Sequence, residues 1–189
     1  GAGAFFRAAR EVARAHGHQV RLSGTELDPD ALGEARRLGL SSADLANVEL
    51  RDFVLDPPEH RLKGIVANPP YLRHHRLAPT VKCRLRELGT ALLGRPLDGR
   101  AGLHVYFLLR ALQLLEKGGK LAFIVPADTC EGVFAEPLWN WIAARFRLEA
   151  VVTFAPNATP FPGVDVNAVV LMISNEAPTE TLYWARCLE

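Results

Sequence analysis

The sequence has little of what membrane proteins, disulfide scaffolds and metalloproteins need. Its longest apolar stretches, such as 121–126 and 166–173, are far shorter than the roughly 20 residues that cross a bilayer. Its three cysteines, Cys83, Cys130 and Cys187, are odd in number and widely spaced, without a metal-ligand pattern. No basic and apolar leader stands at its start. We therefore expect no membrane partner, no metal and a location in the reducing cytoplasm.

The composition and length are those of an ordinary globular domain. Hydrophobic residues make up 49% and charged residues 23% of the chain, which argues against a disordered, fibrous or coiled-coil protein. At 189 residues and 20.7 kDa, the chain has the size of one domain with a single hydrophobic core. The sequence therefore predicts one domain over residues 1–189.

The net charge of +1 hides an uneven distribution along the chain. Residues 61–100 contain nine Lys and Arg against two acidic residues, a net charge of +7, and the remainder carries −6. Seven of the nine basic residues are Arg, a side chain suited to bidentate contact with phosphate. The segment is therefore either one face for a polyanion or a solvated loop and helix with long basic side chains.

Hydrophobic periodicity predicts that helices and strands alternate. Asp28 and Pro29 have the residue types of a helix N-cap and first turn, and Gly118-Gly119 indicates a helix end. Alternation of this kind predicts an α/β fold with a mostly parallel sheet, and the late run of strands suggests an antiparallel edge hairpin. The predicted helices cover 5–16, 29–38, 80–93, 103–117 and 138–146, and the predicted strands cover 20–27, 48–55, 64–68, 120–126, 148–154, 167–174 and 181–186.

Two strand ends near the start of the chain have features of a nucleotide-cofactor site. The glycine turn of Gly1 and Gly3 precedes a helix, and Glu26 follows Gly3 by about the spacing at which an acidic residue grips ribose hydroxyls. Asp52 and Phe53 offer a carboxylate for an amine and a ring for a purine. Each feature also has a plain structural explanation, namely a frayed start, a polar strand end or a core aromatic.

The most informative segment is Asn68-Pro69-Pro70-Tyr71, directly after an apolar strand. An adenine or amide nitrogen is a poor nucleophile because its lone pair is delocalised. The Asn68 side-chain oxygen and the Pro69 carbonyl can accept both N–H bonds of such an amine and favour a pyramidal nitrogen. The two prolines remove competing N–H donors, and Tyr71 offers a flat face for a base flipped from a duplex. The alternative is an ordinary Asn-Pro turn.

In these motifs and their order, the sequence resembles the gamma-class N6-adenine DNA methyltransferases over nearly its whole length. The resemblance implies a Rossmann-like S-adenosylmethionine-dependent methyltransferase fold. It implies that Asn68, Pro69, Pro70 and Tyr71 hold the target adenine, with Phe161 of Phe161-Pro162 against its other edge. The implied S-adenosylmethionine contacts are Gly1, Gly3, Phe5, Glu26, Asp52, Phe53 and Phe107.

Two parts of the family pattern are missing from the sequence. The family has a strand before its glycine turn, and a parallel sheet without that strand would leave ladder groups unpaired. The family also has a target-recognition domain, for which we find no counterpart in residues 1–189. We therefore expect a catalytic domain that lacks its first strand and depends on a recognition domain or specificity subunit elsewhere.

The resemblance gives the basic segment a role. Arg73 and Arg76 follow Tyr71 closely and would contact phosphates at the mouth of the pocket, positioning double-stranded DNA without reading it. The neighbouring His74 and His75 have no partner at metal-ligand spacing.

Three hypotheses stay open on the sequence alone. The first is methyl transfer to the N6 amine of adenine in DNA, as in restriction-modification systems. The second keeps the cofactor but changes the acceptor, since the same Asn-Pro-Pro-Tyr turn resembles that of glutamine methyltransferases of release factors and of some ribosomal-RNA methyltransferases. The third is a non-catalytic fragment that binds DNA or a partner.

Overall fold

Helices and strands alternate along the chain, as the apolar patterning predicts. The computed structural model describes residues 3–161, 163–164 and 166–188. The chain divides into two units, Gly1–Pro58 and Glu59–Glu189, where composition alone suggested one core. None of the helices in the described ranges is long and apolar enough to cross a bilayer.

The first unit contains three helices and a two-stranded parallel sheet. The helices are α1 (Ala4–Ala15), α2 (Pro29–Arg37) and α3 (Ser42–Leu45), and strands β1 (Gly24–Glu26) and β2 (Val48–Leu50) pair in parallel. A small cluster of Ala35, Leu40 and Leu45, joined by Phe6 and Val48, forms its apolar core.

Local hydrogen bonds fix where the helices of the first unit begin. The Asp28 side chain accepts from the Asp30 N–H at 2.9 Å, with Pro29 in the first turn of α2, which confirms the predicted start. Ser41 and Asp44 form a reciprocal capping box at α3. Gly3 is the residue before α1, with φ of +76°, and a Cβ there would collide with Leu40. That backbone conformation favours glycine, and the Leu40 side chain would have to move to admit a larger residue.

Both strands of the first unit are shorter than predicted. Strand β2 ends at Leu50, because the Asp52 side chain accepts hydrogen bonds from the N–H groups of Val54 at 2.8 Å and Leu55 at 2.9 Å. Such a bond turns the backbone away from the ladder. Asp52 and Phe53 therefore lie in the turn after β2 and not at the end of a longer strand.

The second unit is a five-stranded mixed sheet with helices. Its strands are β3 (Leu62–Ala67), β4 (Leu115–Pro126), β5 (Arg147–Phe154), β6 (Ala168–Ser174) and β7 (Tyr183–Cys187), in the order β3-β4-β6-β5-β7. Strand β3 is parallel to β4, β7 is parallel to β5, and β6 is antiparallel to both of its neighbours.

This sheet confirms the predicted α/β class, with one difference in arrangement. The antiparallel strand β6 lies inside the sheet, and β7 pairs with β5 instead of forming a hairpin with β6. Within the described residues β3 pairs with β4 and with no other strand, and Val66 of β3 is 58% exposed.

Helix α5 (Leu103–Leu114) and strand β4 build the core of the second unit. Eight residues of α5 are buried, and on β4 the alternate residues Leu121, Phe123 and Val125 are buried, as expected for a strand packed on one face. The remaining helices are α4 (Pro79–Leu93), α6 (Asp128–Glu131) and α7 (Ala135–Ala143). Helices α4 and α7 were predicted, although α7 begins three residues earlier than expected, and the short α6 was not predicted.

The predicted end of α5 at residue 117 is wrong. The helix ends at Leu114 and β4 begins at the next residue, so Gly118-Gly119 lies inside the strand. The Gly118 N–H donates to the Asn175 carbonyl, and the Gly119 carbonyl accepts from the Asn175 N–H, both at 2.9 Å. A Cβ at Gly119 would lie 3.0 Å from the Lys63 carbonyl oxygen. These glycines therefore permit an irregularity of the sheet and do not stop a helix.

Candidate active site

The Asn-Pro-Pro-Tyr turn begins directly after the carboxyl end of β3. Asn68 and Pro70 are exposed, Pro69 is buried and Tyr71 is partly buried. The carboxyl ends of strands in such sheets are where ligands bind. The structure thus places the turn at a strand end, as the sequence predicts, with Asn68 exposed.

Tyr71 is held at its hydroxyl group while its ring lines two pockets. The phenol donates to the Ile124 carbonyl of β4 at 3.2 Å, and burial raises the pKa of Tyr71 to about 12, so the phenol is neutral at physiological pH. Its ring meets Phe161 edge to face at a centroid distance of 6.4 Å and His104 at 6.0 Å. The structure therefore brings together Tyr71 and Phe161, the two aromatic residues predicted to contact a target base.

The start of α5 fixes the segment that follows the turn. The Leu103 N–H donates to the Leu72 carbonyl at 2.9 Å. Gly102, the N-cap of α5, has no room for a side chain, because a Cβ there would lie 2.7 Å from His104 Cε1 and 3.2 Å from the Leu72 carbonyl oxygen. Close backbone packing thus sets the position of the residues next to Tyr71.

Two pockets open beside Tyr71. The first, which we call the arginine pocket, has a volume of about 360 Å³ and is lined by Tyr71, Arg73, His75 and Arg76. The second, which we call the histidine pocket, has a volume of about 330 Å³. It lies where β4 ends and β6 begins, and its lining includes Tyr71, Arg73, Arg100, His104, Phe134 and Asn167, together with Asp128.

Sequence reasoning missed His104 as a member of this site. The side chain is 5% exposed, and neither ring nitrogen has a hydrogen-bond partner within the described residues. Burial lowers the pKa of His104, with the Asp128 carboxylate acting in the opposite direction. The available signal was a lone histidine in the otherwise apolar start of α5.

Asn167 and Asp128 were also missed, although the strand-end rule could have found them. Strand β6 runs antiparallel to β4, with Ala168 opposite Pro126, so the residue before β6 lies beside the residues after β4. The Ala127 N–H donates to the Asn167 carbonyl at 2.7 Å. If the pairing of β4 with β6 had been predicted from the sequence, it would have placed Asp128 and Asn167 at the same edge of the sheet.

Two predicted cofactor carboxylates, Glu26 and Asp52, lie at or just after the ends of the two parallel strands of the first unit. The Glu26 carboxylate, at the end of β1, accepts from the N–H groups of Leu27 at 2.8 Å and Asp28 at 3.1 Å. The Asp52 carboxylate is held in the same way after β2. Both are oxygen acceptors of the kind that ribose hydroxyls and an adenine amine require. The chemistry of these residues thus fits an adenosine group.

The other predicted cofactor residues are less informative. Gly3 has its left-handed backbone, Phe5 is 44% exposed and Phe53 is partly buried. Phe107 is a partly buried residue of α5 and is not among the residues that line the two pockets. The predicted turn residues Gly1 and Ala2, and Pro162 after Phe161, lie outside the described residues.

The basic segment presents several exposed guanidinium groups. Arg73 and Arg76 are exposed beside Tyr71, and Arg84 and Arg86 are exposed on α4. Arg100 pairs with Asp98 at 2.9 Å, and its hydrogen bonds lower the pKa of Asp98 to about 2. Of these arginines, Arg73 and Arg76 line the arginine pocket, and Arg73 and Arg100 line the histidine pocket together with Asp128.

The sequence matches the Eco57I restriction-modification methylase family over residues 62–161, more than half of the chain. The chain belongs to this family. The matched range begins with β3 and ends at Phe161, so it includes the Asn-Pro-Pro-Tyr turn, the basic segment, α5 and β4.

The chain is also similar to curated type II methyltransferases. The type II methyltransferase M.TthHB8I of Thermus thermophilus is 32% identical over 172 residues, which cover 89% of this chain and 36% of the relative. M.XamI of Xanthomonas campestris is 29% identical over 175 residues, covering 90% of this chain and 32% of the relative. The chain thus spans about a third of the length of these relatives.

Solved structures confirm the predicted methyltransferase fold. The methyltransferase subunit of a type I restriction-modification system from Streptococcus thermophilus superposes with a TM-score of 0.74 at 16% identity, covering 98% of this chain and 40% of the other. A Listeria monocytogenes structure described as a class I S-adenosylmethionine-dependent methyltransferase gives 0.71 at 17% identity, covering 94% and 53%. This chain therefore has the fold of S-adenosylmethionine-dependent methyltransferases, for which S-adenosylmethionine is the expected cofactor.

Proposed function

We propose that this chain is the catalytic part of a restriction-modification methyltransferase that methylates the N6 amine of adenine in DNA. The observation that carries the proposal is the Asn68–Tyr71 turn at the end of β3, with the exposed Asn68 amide and a Tyr71 ring in edge contact with Phe161. Membership of the restriction-modification methylase family supports the same reaction class.

The turn has the groups that activate an aromatic amine. The Asn68 side-chain oxygen and the Pro69 carbonyl accept the two N–H bonds of the amine and localise its lone pair on nitrogen. Pro70 has no N–H to compete for those oxygens. Because both acceptors are neutral, they would orient the uncharged amine without removing a proton from it before transfer. The nitrogen becomes cationic when it accepts the methyl group, and it would then lose one proton to water.

Two aromatic residues hold the base in this proposal. Tyr71 provides a ring face on which an extrahelical adenine stacks, and Phe161 contacts the base from another side. The hydroxyl bond of Tyr71 to Ile124 keeps that ring in place. Adenine in a duplex would have to leave its stack to reach the turn, which is how enzymes that modify bases gain access to them.

S-adenosylmethionine supplies an electrophilic methyl group when it is bound. The Glu26 carboxylate would accept hydrogen bonds from the ribose hydroxyls, and the Asp52 carboxylate would accept one from the adenine amine of the cofactor. The Phe53 ring would cover the purine of the cofactor. Gly3, which has no side chain, would let the cofactor approach the backbone just before α1. Gly1, Phe5 and Phe107 remain predicted cofactor contacts.

Double-stranded DNA is the proposed partner, held through phosphates. Arg73 and Arg76 line the arginine pocket next to Tyr71, and phosphate contacts of this kind position DNA without reading its sequence. Since related proteins are about three times as long, we infer that a recognition domain or a specificity subunit outside residues 1–189 selects the site. We also keep the prediction that the sheet of the whole protein has a further first strand that residues 1–189 lack.

The experiment is a methyl-transfer assay with analysis of the product. The full-length protein is incubated with unmethylated duplex DNA and S-adenosylmethionine labelled in its methyl group, and the DNA is digested to nucleosides. The proposal predicts label in N6-methyldeoxyadenosine. Arms with a glutamine-containing release-factor peptide and with ribosomal RNA test the other acceptors that this turn could serve.

In this assay Asn68→Ala should nearly abolish transfer. Its control is Asn140→Ala, because Asn140 is exposed on α7 and far in sequence from the turn. It should retain full transfer. Label in 5-methylcytosine, in the peptide, or in RNA and not in DNA would refute the proposal.

A further inference from the structure

The five-stranded sheet of the second unit has one buried face. Phe123, Leu171 and Val151 are paired in register across the central strands β4, β6 and β5, and all three are buried. Successive residues of a strand alternate between the two faces of a sheet, and residues opposite each other in register share a face. This row therefore marks the face that the rest of the unit covers.

The other face of the sheet is apolar but open. Its first row crosses all five strands as Val66, Ala122, Met172, Ala150 and Tyr183. The two alanines are partly buried, whereas Val66 is 58% exposed, Met172 is 41% exposed and Tyr183 is 82% exposed. The large apolar side chains on this face are thus only partly covered by the described part of the chain.

A second row on the same face has the same character. Ile124, Val170, Val152 and Ala185 pair in register across β4, β6, β5 and β7. The first three are partly buried and Ala185 is exposed. We call the nine residues of the two rows the open sheet face. None of the nine is charged, whereas a sheet face in contact with water normally has polar residues. A contiguous exposed apolar patch of this kind marks an interaction surface.

The size of the open sheet face suits a helix. Five strands about 4.8 Å apart span about 19 Å, and a helix that rises 1.5 Å per residue crosses that distance in about 13 residues. Helices packed on a sheet face are a usual layer of α/β proteins.

The relatives indicate where such a helix would come from. The chain spans 36% of M.TthHB8I and 32% of M.XamI, so about two-thirds of each relative lies outside the matched part. A segment of the same polypeptide has a far higher effective concentration at this face than a second molecule has. The length of chain available therefore favours an intramolecular occupant.

We propose that a helix from the part of the full-length protein outside residues 1–189 packs its apolar side on the open sheet face. The register of the strands and the exposure of the two rows carry this inference. It is independent of the reaction proposed above, because no residue of the open sheet face is assigned to the cofactor or to the target base.

The test is photo-cross-linking of the full-length protein from Met172. Residues 1–189 contain one methionine, so a photoactivatable methionine with a diazirine in its side chain places one probe on the open sheet face without changing its shape. The irradiated protein is digested, and peptides joined to the one that contains residue 172 are identified by mass spectrometry. We expect links to a peptide outside residues 1–189, and Met172→Leu should remove them.

Two neighbouring residues of β7 provide a matched pair of variants. Ala185 belongs to the open sheet face and Arg186 points to the opposite face, and both are exposed. Ala185→Asp would place a carboxylate under the helix, and it should lower the yield of these links by about tenfold or more, because burying an unpaired charge is costly. Arg186→Asp places the same side chain in the same strand and should leave the yield unchanged.

Every other outcome overturns the inference. Links confined to residues 1–189 would mean that the chain covers this face itself, and addition of water alone at residue 172 would mean that the face stays open. In a mixture of isotopically different copies, links between the two kinds would identify a second molecule as the occupant. Equal yields from the two aspartate variants would also contradict it. The methyl-transfer assay is separate, so failure of the proposed reaction would leave these results standing.

Discussion

The two units of this protein stabilise their helices in different ways. In the first unit, α2 and α3 begin with side-chain caps from Asp28 and Ser41, and α1 has no buried residue within its described range. In the second unit, α4 to α7 show no side-chain cap bond in the described part of the chain, whereas α5 alone buries eight residues. Local hydrogen bonds are thus prominent in one unit and apolar burial in the other.

The difference matters for function because the proposed target-base turn lies in one unit, whereas the two proposed cofactor carboxylates lie in the other. The Asn68–Tyr71 turn belongs to the well-buried unit, and Glu26 and Asp52 belong to the unit with the small core. A small core has low local stability, and a ligand that binds the folded form adds stability. We therefore expect the first unit to respond most to cofactor.

The largest expected effect is on the core of the second unit. Leu109→Ala removes a fully buried side chain of α5 and should lower the free energy of unfolding of that unit by about 2–5 kcal/mol. Hydrogen exchange read by mass spectrometry reports each unit separately. The matched variant Leu40→Ala should reduce protection within residues 3–58 instead, and an equal loss in both units for either variant would contradict the comparison.

Substitutions of Asn68 and Glu26 should have the next largest effects, one on kcat and the other on cofactor affinity. Asn68→Ala should lower kcat by about a hundred- to a thousandfold, as for the loss of one oriented polar group at a reacting centre, with nearly unchanged cofactor affinity. Glu26→Ala should mainly weaken cofactor binding. Calorimetry with S-adenosylhomocysteine and the methyl-transfer rate measure the two effects, and a similar loss of cofactor affinity in both variants would show that the roles are wrongly assigned.

Removing a helix cap should have a smaller effect. Asp28→Ala deletes the acceptor for the Asp30 N–H at the start of α2 and should cost about 1 kcal/mol in protection of that helix. Asp28→Asn keeps an acceptor oxygen and should retain most of it. If both substitutions left exchange in α2 unchanged, local capping would not be what stabilises the first unit.

The smallest effect expected is a dependence of stability on pH through His104. Its pKa is lower in the folded protein than the usual 6.5, mainly because of burial and despite Asp128. The unfolded chain therefore binds more protons near that pH, so stability from this group is present above about pH 6.5 and is lost as the pH falls.

Denaturant unfolding between pH 5 and 8 measures this contribution as the difference between wild type and His104→Phe. His74, whose pKa is also lowered by burial and by Lys82 and His75, is present in both proteins and cancels. A difference that does not change with pH would contradict the assignment.

The features that sequence predicted well are those set by neighbours along the chain. The start of α2 follows from Asp28 and Pro29 alone, and the structure agrees at that residue. The position of the Asn-Pro-Pro-Tyr turn after an apolar strand was likewise predicted, because the strand, the two prolines and the polar residues are adjacent in sequence.

The features that sequence missed depend on distant partners. Gly118-Gly119 has the pattern of a helix end, but the carbonyl of Lys63 and the backbone of Asn175 place the pair inside β4. His104 looked like part of an apolar helix because its burial against Gly102 and Tyr71 exists only after folding. Tyr71 and Phe161 were both expected at the target base, yet their ring contact across 90 positions of sequence needed the fold to be seen.

The hydrogen bond of the Tyr71 hydroxyl reduces the conformational entropy that would be lost when a base stacks on the ring. A free tyrosine ring rotates among several orientations, and a ligand that stacks on it must first restrict that motion. Here the ring is preorganised, with its outer end bonded to the Ile124 carbonyl at 3.2 Å. The loss of rotational freedom accompanies folding of the chain, so an incoming base would meet a surface whose orientation is already set.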